Sequence, residues 1–66
     1  MTKPEKEHWL CNIENTAIAV ARELGWETVR FVLQEYGNAS SIESLSPSRY
    51  QEVYNVLFDY EVGIRD

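Results

Sequence analysis

Residues 21–37, ARELGWETVRFVLQEYG, decide how this chain folds. Two glycines frame a block without proline, and its large apolar residues recur three and four apart: Trp26, Val29, Val32, Leu33 and Tyr36. Successive residues on a helix turn by about 100°, so all five share a face. The block reads as a helix over 26–36 that Gly37 stops. Gly25 sits where a left-handed C′ residue would end a preceding helix, so the two helices meet with almost no loop.

Towards the N-terminus, Leu10, Ile13, Ala17, Val20 and Leu24 form one stripe. Thr2 can cap that helix, with Pro4 and two glutamates in its opening turn, where acids suit the helix dipole. This places the first helix near 4–24, with Asn12 or Asn15 as caps of a shorter version. Towards the C-terminus comes NASSIESLSPS, residues 38–48, rich in turn and cap formers. Within it, Ser41–Leu45 can form one helical turn pinned to the core by Ile42 and Leu45. Ser46-Pro47 is a helix start, with Ser as N-cap and Pro at the first helical position. Tyr50, Val53, Tyr54, Leu57 and Tyr60 then line a third helix near 47–61, ended by Gly63 and followed by a short polar tail. No strand alternation competes. The expected fold is all-α: a single domain over 1–66, a small three-helix bundle with an extra short helical turn before the last helix.

A chain of 66 residues has a thin core and no room for a deep cavity between layers. Eleven acids oppose six bases, a net charge of −5, most of it in the second half. That field disfavours phosphate backbones and anionic lipid and favours basic partners; excess acid also simply keeps a small domain soluble. The lone Cys11 cannot form an internal disulfide, which points to a reducing, cytoplasmic setting. Met1–Glu7 has no apolar run of the kind a signal peptide needs, and no apolar stretch is long enough to span a membrane.

Residues 17–36 resemble the core of a helix-turn-helix, which makes a DNA-binding regulator the alternative reading. Such a motif needs a turn of about 3–4 residues between its helices, and a typical reader, A-x-x-L-G-V-S-x-x-T-V, has about five residues between its Gly and its Val. Here only Trp26, Glu27 and Thr28 separate Gly25 from Val29, so the turn is too short. The second helix offers Arg30 and Gln34 among Glu27 and Glu35, too few cations for phosphate contacts. Nucleic-acid binding is therefore not expected.

Chemical sites are sparse. His8 and Cys11 lie one turn apart, but a structural zinc site wants four such ligands and a nucleophile pair wants a third, orienting group. Glu52, Asp59 and Glu61 read as a solvated face, and the three glycines as single helix stops. No catalytic residue, metal site or cofactor is expected, and the chain is read as a non-enzyme. Tyr36, Tyr50 and Tyr54 fit core faces with hydroxyls reaching solvent.

Apolar residues that miss the core stripes stand out: Cys11 and Ile18 on the first helix, Phe31 on the second, and Phe58 at the edge of the third. Large exposed apolar side chains mark partner surfaces. Phe31 has a second reading as core, if the middle helix is covered on both sides.

Residues 28–66 carry V-x-F-V-L-x-x-Y-G, a Ser-rich turn, then L-S-P-x-x-Y-x-E-V. This pattern resembles the recurrent ending of small accessory proteins carried by phages and mobile elements of gut Firmicutes. The resemblance covers a little over half the chain and brings no catalytic residue. It implies a small accessory protein of mobile DNA that acts by binding another protein. The expected function is a small acidic interaction module with a protein partner or a homodimer. A narrower form is an inhibitor whose acidic face mimics nucleic acid on a basic target.

Overall fold

The computed structural model describes residues 2–65; Met1 and Asp66, the last residue of the expected polar tail, lie outside the described residues. Three helices follow one another: α1 (Lys3–Leu24), α2 (Trp26–Gly37) and α3 (Tyr50–Arg65), with a 3-10 turn at Pro47–Arg49 running directly into α3. All three pack pairwise. The 22 residues of α1 span about 33 Å at 1.5 Å each, which accounts for the 34 Å long axis of the molecule.

Local chemistry explains each helix end. Thr2 Oγ1 accepts the Glu5 N–H at 3.4 Å and donates to the Glu5 carboxylate at 3.0 Å, capping α1 as expected. At the α1–α2 junction, Gly25 alone closes one helix and opens the next. Its N–H donates to Ala21 O at 2.9 Å, and its carbonyl accepts the Thr28 N–H at 3.3 Å. Its φ of 85° and ψ of 159° are not the left-handed helical values expected. They lie in an extended, positive-φ region open essentially to glycine alone.

The end of α2 corrects the sequence reading. Gly37 lies inside the helix, and Asn38 is the left-handed residue, at φ 50° and ψ 43°. The Asn38 and Ala39 N–H groups both donate to Leu33 O, the latter at 3.1 Å, and Ala39 and Leu33 are both buried, so the left-handed residue turns the chain back to satisfy a carbonyl of the last turn. Asparagine tolerates this conformation. Glycine is needed one position earlier because a Cβ at Gly37 would overlap Leu45 Cδ2 and lie 3.0 Å from Val53 Cγ2.

The Ser-rich connection folds as a turn. Ser44 Oγ donates to Ser41 O at 2.9 Å and accepts the Ser41 N–H at 3.1 Å, while the Leu45 N–H donates to Ile42 O at 3.2 Å. It sets Leu45 in the core and Ile42 against it, as their spacing suggested. The third helix differs at both ends from the expected 47–61. Its first turn is 3-10, and it continues through Gly63 to Arg65. Gly63 does not stop it: it has no positive φ, and the helix runs on through it.

The core is built from Ile13, Ala17 and Val20 of α1, Val29, Val32 and Leu33 of α2, and Tyr50, Val53 and Leu57 of α3, with Ala39 and Leu45 from the connection. Four residues expected on core faces, Leu24, Trp26, Tyr36 and Tyr60, are exposed. Leu24, Trp26 and Tyr36 sit at or next to helix ends, and Tyr60 lies with Leu24 and Tyr36 in a surface groove. Tyr50 departs the other way: it is 1% exposed, and its hydroxyl is buried without a hydrogen-bond partner rather than at solvent. A buried, unsatisfied hydroxyl costs about 1–3 kcal/mol. Tyr50→Phe is therefore expected to raise stability by about 1 kcal/mol, about 4–8 °C in melting temperature for a domain this small. Thermal unfolding followed by circular dichroism checks it, and a lower melting temperature would show that the hydroxyl has a partner after all.

Candidate functional site

A three-helix bundle has three seams, and here they are closed unequally. Along α1 and α3, the ring of Trp9 meets Tyr54 edge-on at 5.8 Å, and Tyr54 stacks on Phe58 at 6.0 Å. These aromatics close one end of that seam, and Ala19, Arg22, Glu23, Glu61 and Ile64 line a shallow depression at the other. Along α1 and α2, residues Ser40–Glu43 of the connection lie beside Glu14, Trp26, Val29 and Leu33, with Ile42 packed against the core. Along α2 and α3, Leu45 of the connection sits against Gly37 and Val53 at one end, and beyond it the seam opens.

That open seam is a groove of about 630 Å³. Val56, Asp59, Tyr60, Gly63 and Ile64 of α3 line one side, with Tyr36 of α2 and Leu24 at the end of α1 opposite. From Val56 to Ile64 it follows α3 for about 12 Å at the helical rise, a little over two turns. Its walls are apolar or aromatic apart from Asp59. Leu24 is 46% exposed, and Tyr36 and Tyr60 are exposed beside it. A Cβ at Gly63 would meet nothing within 4 Å, so the missing side chain leaves the floor open. The single-residue junction at Gly25 explains why: it brings no loop to shelter the ends of α1 and α3.

The residues singled out from the sequence lie elsewhere. Cys11 is exposed on α1, where its Sγ accepts a hydrogen bond from Asn15 Nδ2 at 3.6 Å. Ile18 is half-buried on the same helix. Phe31 is 52% exposed and lines a shallow depression with Glu27, Arg30, Gln34, Ala39 and Ser40. Its reading as core is thereby corrected: nothing covers the outer face of α2 at this position. Phe58 is exposed but stacked on Tyr54. These four residues occupy three helices, and none of the depressions described here is lined by two of them.

The α2–α3 groove was missed because Leu24, Tyr36 and Tyr60 sit on the apolar stripes of their helices and so pass for core, while Ile64 fell in the expected polar tail. The one available signal was their position: Leu24 and Tyr36 fall at helix ends beside glycines.

His8 and Cys11 are both exposed. Among the described residues, no group of three or more His, Cys, Asp or Glu side chains is arranged to hold a metal ion. No described helix is long and apolar enough to cross a membrane. The Arg49–Glu52 ion pair, 3.3 Å with both side chains about half exposed, is of the solvated kind that contributes little. No family model, curated protein or solved structure matches the chain.

Proposed function

We propose that this protein is a small, acidic, non-enzymatic interaction module that acts by binding another protein. The observation that carries the reading is the set of large apolar side chains left in water: Leu24, Trp26, Phe31, Phe58, Tyr60 and Val62 are 36% to 52% exposed. Scattered exposed apolar residues are ordinary; aromatic ones gathered on a domain this small mark docking surfaces. The lone Cys11 suits a reducing, cytoplasmic setting. The resemblance of residues 28–66 to accessory proteins of mobile elements supports the same role.

The test is affinity capture from the native host together with sedimentation of the purified chain. The expected result is a stoichiometric partner or a self-association that Phe31→Asp weakens at least about 10-fold, the usual scale for removing an interface anchor. Phe31 lies on the outer face of α2, so melting should change little. No partner and no self-association would overturn the reading. Partner binding that weakens steeply with salt would favour the nucleic-acid-mimicking inhibitor as its narrower form.

The regulator reading of residues 17–36 has weaker support. One residue separates α1 from α2, where a DNA-reading motif has a turn of about 3–4. The exposed side of α2 sets Glu27 and Glu35 beside its one cation, Arg30. A gel shift with genomic DNA at low salt would revive this reading.

A further inference from the structure

We infer that the open seam between α2 and α3 is the docking site for one amphipathic helix of a partner protein, with basic residues flanking its apolar stripe. This inference rests on the interaction reading above and names the surface and the chemistry of its occupant.

Three observations carry it. The seam offers the gap a fourth helix would fill in a bundle: it is lined by Leu24, Tyr36, Val56, Tyr60 and Ile64, of which Leu24, Tyr36 and Tyr60 are exposed. Its length of about 12 Å matches a helix presenting anchors at i, i+3 or i+4, and i+7. Gly63 leaves room in the floor for one large apolar knob. The third observation is charge. Among the described residues, Asp59 is the only charged group lining the groove, and the chain as a whole carries −5. A basic helix gains from that field on approach, whereas a second copy with the same negative charge is opposed by it.

The experiment uses the full chain and a synthetic peptide of alternating Leu and Lys blocks, about 14 residues, which forms an amphipathic helix about 21 Å long. A Leu/Glu peptide with the same apolar stripe is the charge control. Amide chemical shifts map the site, and anisotropy gives affinity. The Leu/Lys peptide is expected to shift the signals of Leu24, Tyr36, Tyr60 and Gly63 and to bind less tightly as salt rises.

Gly63→Arg is the blocking variant. It fills the floor and cancels the charge of Asp59, while open space at the Cβ and a good helix former preserve the fold. Its affinity should fall at least about 10-fold with melting unchanged. If Gly63→Arg melts lower, Asp59→Lys at an exposed position tests the charge alone, with a fall of the same sign expected.

Equal binding of the Leu/Glu peptide, wild-type affinity in both variants, or shifts centred on Phe31 would overturn the inference. So would self-association competing with the peptide at this seam. A native partner that Phe31→Asp releases but Gly63→Arg retains would leave the interaction reading standing and this surface wrong. Failure to capture any partner, with no peptide bound, would remove both.

Discussion

Leu57→Ala is expected to remove about 2–5 kcal/mol of stability. A domain of this length has on the order of 3–10 kcal/mol in total, so the variant should be largely unfolded at modest urea concentrations. Leu57 is fully buried on the middle of α3, one helical turn beyond Val53, and belongs to the core cluster that α1 and α2 share. Truncation leaves a cavity with apolar residues from all three helices around it, and a core this thin has little neighbouring mass with which to collapse. Urea unfolding followed at 222 nm measures the loss. A cost below about 1 kcal/mol would mean that α3 does not sit on this core.

Gly37→Ala is expected to destabilise by about 1–3 kcal/mol, the scale of overpacking, although alanine is the better helix former by about 1 kcal/mol. The new methyl would claim the space of Leu45 Cδ2 and press on Val53 Cγ2. Leu45 is buried, so turning it away exposes apolar surface, and Val53 is β-branched with few rotamers to offer. Gly63→Ala is the internal control. It is also helical, nothing lies within 4 Å of its Cβ, and it should gain about 0.5–1 kcal/mol. Melting curves of the pair give the sign of each effect. Two stabilised variants would show that Leu45 does not pack over Gly37.

The opposite signs expected at these two glycines show where reading the chain as a string runs out. Both follow an apolar run, and both look like helix stops. One is a contact point for a loop eight residues later, and the other is an open position in a helix that continues. Neither fact is local, since the contact made by Gly37 depends on how the Ser-rich connection returns.

The candidate site shows the same boundary. Cys11, Ile18, Phe31 and Phe58 were legible because they break the apolar period of their helices, and Phe31 is indeed in water. The α2–α3 groove was not legible, because Leu24, Tyr36 and Tyr60 obey that period. A side chain that follows the stripe is counted as buried on the assumption that a neighbour extends far enough to bury it.

Local pattern was enough for the three helices, their order, the near-absence of a first loop, the pinning role of Ile42 and Leu45, and the excess of acid. Each follows from spacings of a few residues, capping chemistry or a count of charges. Helix packing settles where the wide groove opens, where Gly37 makes its close approach, why Tyr50 loses access to water, and which stripe residues are left outside. Periodicity is a property of one helix and fixes the direction a side chain points. Burial is a property of two or three helices and depends on where along their length they overlap.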